Sequence, residues 1–188
     1  QGFIRAHMPM ESLICNAGRR SADGSAHARL TPLAHAVEEV ASNLLVECLA
    51  LSEAERGNVQ IIDWQTGLLA IRAQRGFDAE FLDYFANVHV DEAGASGAAL
   101  RARQSHIVDD VSRVPALAHC APVLERAGIR AVQSTPLLSQ HGQLVGVVST
   151  HYPKPVRPTQ HQMQAMAAAA RRAADAILRL RAETEACN

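Results

Sequence analysis

Residues Arg130–Tyr152 read RAVQSTPLLSQHGQLVGVVSTHY. The spacing predicts two strands joined by a short turn. The strand segments STP and VVSTHY put hydroxyls and an imidazole where a buried sheet would take valine. Side chains alternate across a strand. Val145, Val147, Ser149 and His151 are therefore expected on one face, with Gly146, Val148, Thr150 and Tyr152 on the other. On the preceding strand Val132, Ser134 and Pro136 share a face, opposite Ala131, Gln133 and Thr135. A half-buried face bearing two hydroxyls and an imidazole can orient a polar ligand while valines such as Val132 and Val147 exclude water. The competing reading is structural, with Ser149 and His151 near a strand end meeting water or backbone.

Upstream, Thr31-Pro32 is a helix start, with a hydroxyl N-cap and proline at the first helical position. Leu33, Val37, Val40, Leu44, Cys48 and Leu51 recur at three- and four-residue spacing as one apolar stripe. Glu55-Arg56-Gly57 is expected to end that helix. GNVQIIDWQTGLLAIRAQRG (57–76) reads as a hairpin turning at Asp63–Gly67. Phe77–Val88 reads as a short amphipathic helix capped by Asp78. A glycine-bearing loop then leads to a helix capped by Ser96, followed by a strand at HIVDDV (106–111). A further short helix stops at Gly128.

Downstream, PKPVRP (153–158) breaks the chain and seeds a long helix from about Thr159 to Glu183, opened by a capping box. Its Met163, Met166, Ala170, Ala173, Ile177 and Leu180 follow heptad spacing. Strands segregated from terminal helices imply an α+β domain with a mostly antiparallel sheet.

The 188 residues suffice for one domain with a sizeable core. A formal net charge of −1 and the lack of any Lys/Arg-rich run exclude an electrostatic reason to bind nucleic acid. No apolar run approaches membrane-spanning length, so no membrane partner is expected. The four cysteines, Cys15, Cys48, Cys120 and Cys187, form neither a zinc pattern nor a compact disulfide framework. They read as reduced thiols in a cytoplasmic protein. QGFIRAHM (1–8) looks like the remnant of an expression vector. Residues 1–30 as a whole are expected to be that remnant and a flexible arm, with the domain at 31–184 and its terminal helices at about 31–55 and 159–183.

The ordered series GNVQIIDWQTGLLAIRAQRGFDAEFLDYF, SGAALRARQSHIVDDV and AGIRAVQSTPLLSQHGQLVGVVSTHYPKP resembles a GAF domain, of the type found in bacterial sensor histidine kinases and related signalling proteins. The resemblance covers roughly Leu33–Leu180. It implies a central antiparallel five- or six-stranded sheet. Terminal helices pack on one face, and short helices and loops cover a ligand pocket on the other. It also implies a homodimer through the terminal helices, and it places Ser134 and His151 at pocket-facing positions.

His119 and Cys120 adjoin, and a neighbouring histidine can activate a thiol. Cys120 does not fit the bilin-attachment pattern of phytochrome-like relatives, because no histidine follows it and it lies too near Gly128. An inert cysteine is expected. His119 is a candidate to reach the pocket with His151, and Arg113 a candidate to pair with an anion bidentately. His35, His89, His141 and His161 show no metal-ligand spacing, so neither metal nor haem is expected. Asp109 and Asp110, read as adjacent strand residues, are expected to point to opposite faces and so do not easily act on one substrate. Gly94 and Gly97 lack the residues of a phosphate cradle.

The expected function is a non-enzymatic sensory module. It binds a small molecule through Ser134, Ser149, His151, His119, Arg113, Val132 and Val147, and signals through a helical dimer bundle to an effector such as a histidine kinase. The alternatives are a dimerisation module without ligand, and a GAF-fold free methionine sulfoxide reductase, which would need clustered cysteines.

Overall fold

In a computed structural model the described residues are 31–63, 66–89 and 94–186. The first helix, α1, spans Pro32–Ser52. Thr31 caps it as expected, its Oγ1 accepting from the Ala34 amide at 3.2 Å. Thr31→Ala is expected to cost about 1 kcal/mol. A urea-melt comparison checks this, and an unchanged midpoint would remove the cap from the account.

The helix ends earlier than expected. Glu53 adopts a left-handed conformation (φ 57°) and its amide closes on Leu49. Gly57 is not the stop signal. It lies in β1 (Arg56–Asp63), where a Cβ would sit 2.8 Å from the Ser149 carbonyl oxygen and 3.0 Å from Leu45 Cδ1. The missing side chain lets α1 lie close against the sheet.

β2 is Leu68–Arg75 and pairs antiparallel with β1. The helix expected over Phe77–Val88 is only Ala79–Tyr84 (α2), capped by Asp78 as anticipated. Asn87–His89 instead forms an edge strand, β3, paired with β2. A three-residue strand is too short to show a period. α3 (Ala95–Ala102) is capped at Gly94, not at Ser96, whose hydroxyl is used elsewhere. β4 (His106–Val108), two 3₁₀ turns (Val111–Arg113 and Pro115–Leu117) and α4 (Ala121–Arg126) follow. β5 is Ala131–Leu138, β6 is Leu144–Tyr152 and α5 is Gln160–Ala186. Thr159 and Gln162 form the anticipated capping box, Gln162 N to Thr159 Oγ1 at 3.2 Å and Thr159 N to Gln162 Oε1 at 2.9 Å.

The sheet has six antiparallel strands in the order β3-β2-β1-β6-β5-β4. α1 and α5 cover one face. Val37, Leu44 and Cys48 meet Met166, Ala170, Ala173 and Ile177 there, over Val59, Ile61 and Val148. Arg172 also pairs with Glu47 across the two helices. The alanines of α5 bring it close to α1, the use that small residues serve at a helix seam. The heptad stripe is thus buried within the chain's own core.

One face assignment fails. Leu137 pairs with Gly146 but Leu138 with Leu144, so Val145 is a bulge residue. Val145 joins the helix-side core, while Val147 lies on the opposite face with Ile62, Leu69 and Leu100.

Candidate functional site

The face away from the terminal helices is roofed by α2, α3 and α4. Two apolar clusters flank its centre. Val132 packs with Phe81, Val108, Leu124 and Ile129 at one end, and Val147 with Leu69, Ala99 and Leu100 at the other. Between them lies a line of buried polar groups. Ser134 and Ser149 are register partners on β5 and β6, with hydroxyls 2.8 Å apart. Ser149 Oγ is 3.3 Å from Ser96 Oγ on α3, and Ser96 Oγ donates to Gln60 Oε1 at 3.4 Å. Asn58, the β1 partner of Ser149, is buried beside them. Its Oδ1 has no hydrogen-bond partner among the described residues.

His151 closes the line at the end of β6. Its ring meets Phe77 edge-on at 5.0 Å and Phe81 at 6.0 Å, and those two rings stack at 3.9 Å. His151 Nδ1 likewise lacks a partner among the described residues. Burial pushes its pKa down to about 3, with help from the positive charge of Arg56. At neutral pH the imidazole is uncharged. Arg56 is the register partner of His151 and donates through Nη1 to the Ala127 carbonyl, holding α4 to the sheet. Gly76 (φ 84°) makes room for it, since a Cβ there would lie 2.6 Å from Arg56 Cγ.

The structure therefore brings Ser134, Ser149 and His151 to one face, with Val132 and Val147 in the apolar walls. It does not bring His119 or Arg113 there. His119 is exposed in the turn before α4, and its carbonyl accepts from Tyr84 Oη. The Arg113 guanidinium is 80% exposed and pairs loosely with Asp110. Helix ends and 3₁₀ turns have no fixed facing that a sequence reveals, whereas strand alternation does. Asn58, Gln60 and Ser96 also belong to this polar line and were not expected there. Asn58 and Gln60 alternate with Val59 and Ile61 in β1, a period-2 signal that was present in the residues.

The chemistry available here is hydrogen bonding. Cys120 is buried in the roof cluster with its Sγ donating to the Leu117 carbonyl at 3.2 Å, and burial raises its pKa. Cys48 lies across the sheet in the helix-side core, its thiol pushed up to about 12 by burial. These two thiols cannot meet. Cys15 and Cys187 lie outside the described residues. Among the described residues no group of His, Cys, Asp and Glu is arranged to hold a metal ion. Nor is any described helix long and apolar enough to cross a membrane.

The sequence model of the GAF domain matches residues 31–177. The chain belongs to the GAF domain family. Solved structures share this GAF fold at low identity. A domain of a putative two-component sensor histidine kinase from Sinorhizobium meliloti 1021 is 21% identical, with TM-score 0.69 over 81% of this chain and 98% of that one. A GAF domain/HD domain protein from Geobacter sulfurreducens is 20% identical, with TM-score 0.66 over 81% and 98%. The GAF domain of a phosphoenolpyruvate-protein phosphotransferase from Coxiella burnetii is 17% identical, with TM-score 0.68 over 79% and 86%. No curated protein matches the chain.

Proposed function

We propose that this GAF domain is a non-enzymatic sensory module whose ligand is a small polar molecule bound between the sheet and its roof. The observation that carries the reading is the line Asn58–Ser149–Ser134–His151. It holds two buried polar atoms, Asn58 Oδ1 and His151 Nδ1, without partners among the described residues. Each such atom costs roughly 1–3 kcal/mol, which a ligand offering the complementary hydrogen bonds would recover. The rings of Phe77 and Phe81 cover His151 directly, so entry requires α2 to lift.

The path to an output is short. His151 and Arg56 pair at the strand ends from which the two terminal helices depart, β1 following α1 and β6 preceding α5. A ligand that binds the lifted and closed roofs unequally shifts α1 against α5. Coupling of ~1–3 kcal/mol suffices. The domain spans 31–184, works in the cytoplasm, and pairs as a homodimer through the outward faces of the terminal helices. An effector such as a histidine kinase reads the shift, by analogy with the Sinorhizobium meliloti protein that shares the fold. The separation of Cys48 from Cys120 argues against a sulfoxide reductase.

A thermal-shift panel of small polar metabolites tests this, run on the wild type and on His151→Leu. A saturating ligand at a hundredfold excess over Kd adds about 2.7 kcal/mol to wild-type stability. The variant removes an unpaired polar atom at similar volume. It is expected to be at least as stable without ligand at pH 7 and to lose the ligand response. A panel that shifts neither protein would leave a dimerisation module as the better account, and a ligand that shifts both equally binds away from His151 and counts against this site.

A further inference from the structure

The surface beyond β4 carries a second feature, on the outer side of the roof cluster to which Val108, Val111 and Val114 belong. A cleft of about 250 Å³ is lined by Asp109, Asp110, Arg113, Pro155, Val156 and Arg157. It joins the 3₁₀ turn after β4 to the linker that leads into α5. Arg130 reaches its edge through Asp110.

The charges in this cleft are unevenly committed. Asp110 is buried, and its carboxylate is well occupied. It accepts from Ser112 Oγ at 2.7 Å and Ser112 N at 3.1 Å, and from Arg130 Nη2 at 3.1 and 3.2 Å. The Ser112 hydrogen bonds lead in holding its pKa below the ordinary value. Arg113 adds only a loose contact, Nε to Asp110 Oδ2 at 3.5 Å, and its side chain is 80% exposed. Arg157 is similar. Its Nη2 lies 3.5 Å from Asp109 Oδ2, and its side chain is 88% exposed. Three guanidiniums (Arg113, Arg130, Arg157) thus face two carboxylates (Asp109, Asp110). A guanidinium carries five N–H donors in a planar fork suited to oxyanions. Those of Arg113 and Arg157 are mostly unspent, and Pro155 and Val156 line the cleft beside them.

We propose that this cleft binds a small phosphate-class oxyanion bridged between Arg113 and Arg157, at a site separate from the roofed one. Binding displaces Asp109 from Arg157, so the carboxylate is a built-in competitor and the affinity is modest. The consequence falls on α5. Arg157 sits in the linker just before the Thr159 cap, and a bridging anion ties that linker to the turn after β4.

The test is calorimetric titration of the chain with inorganic phosphate and with phenyl phosphate, at constant ionic strength set by chloride. Saturable binding is expected in the millimolar range. The double variant Arg113→Gln/Arg157→Gln is expected to weaken it at least ~10-fold, since each lost charge-assisted hydrogen bond is worth about that factor. Asp109→Asn is expected to tighten it several-fold by freeing Arg157. Arg171→Gln, an exposed arginine on α5, should leave it unchanged. Hydrogen exchange of the linker amides of Lys154, Val156, Arg157 and Thr159 should slow with phosphate in the wild type only. His151→Leu should bind phosphate as the wild type does, which separates this site from the roofed one. Absence of saturable heat, equal binding by the double arginine variant, or weaker binding by Asp109→Asn would each overturn the assignment.

Discussion

Gly146→Ala is expected to lower the stability of the domain by about 3 kcal/mol or more, toward the severe end of overpacking substitutions. Gly146 lies in β6, and an added Cβ would stand 2.2 Å from the carbonyl oxygen of Gln60 on β1. The same Cβ would lie 3.1 Å from the Gln60 carbonyl carbon and from Ile61 Cα. All three atoms are backbone, so no rotamer change relieves the contact. β6 cannot retreat, because β5 grips its other edge and the bulge at Val145 sits beside the glycine. The chain would have to part its two central strands. A fall in Tm on the order of 10 °C follows for a domain of this size. Gly94→Ala is the matched control. Its φ of 172° is extended backbone, and an added Cβ there meets nothing among the described residues within 4 Å. Thermal melts of both variants decide the matter, and a Gly146→Ala protein melting within a degree or two of wild type would refute the packing described here.

Acidification below pH 6.5 is expected to destabilise the protein before its carboxylates begin to titrate. His151 has a pKa of about 3 in the fold against an ordinary 6.5, chiefly because it is buried. The unfolded chain takes up the proton near pH 6.5, and the folded chain refuses it until about pH 3. The stabilisation is therefore complete above pH 6.5 and is lost as the pH falls through that window. The slope is about 1.4 kcal/mol per pH unit, on the order of 4–5 kcal/mol across the whole window. Between pH 6.5 and 4.5 the loss attributable to this residue is about 2–3 kcal/mol. Asp110, whose pKa is lowered, acts in the same direction at more acid pH. Urea unfolding at a series of pH values measures the slope. His151→Leu should flatten it over pH 6.5–4.5, and parallel profiles for variant and wild type would show that His151 does not carry the effect.

The same residue shows how much of the roofed face was legible in the sequence. His151, Ser149 and Ser134 could be assigned to one face because a strand has a period of two and their spacing respects it. The same rule misplaced Val145, because a bulge inserts one residue into β6 and its one local mark in LVGVV is the neighbouring Gly146. His119 and Arg113 are expected at the site for their chemistry alone, an imidazole and an anion-pairing guanidinium. Short turns send side chains in directions that only the packing of α4 and the 3₁₀ turns sets. Gly57 was read as a helix stop because glycine often is one. Its missing side chain leaves room for Leu45 and the Ser149 carbonyl, a requirement that appears only when α1, β1 and β6 are assembled.

Local chemistry written in the chain was enough to specify the elements and their polarity. Thr31-Pro32, Asp78 and the Thr159–Gln162 box start helices through bonds made within a single turn. Alternation along β5 and β6 separates a helix face from a roofed face. What assembly added was the partnership between distant groups: Arg56 with Ala127, Asn58 with Ser149, Arg157 with Asp109, and the heptad stripe of α5 with α1 in place of a second molecule. Those outcomes depend on burial and on distances across the sheet, and neither quantity exists until the strands have paired.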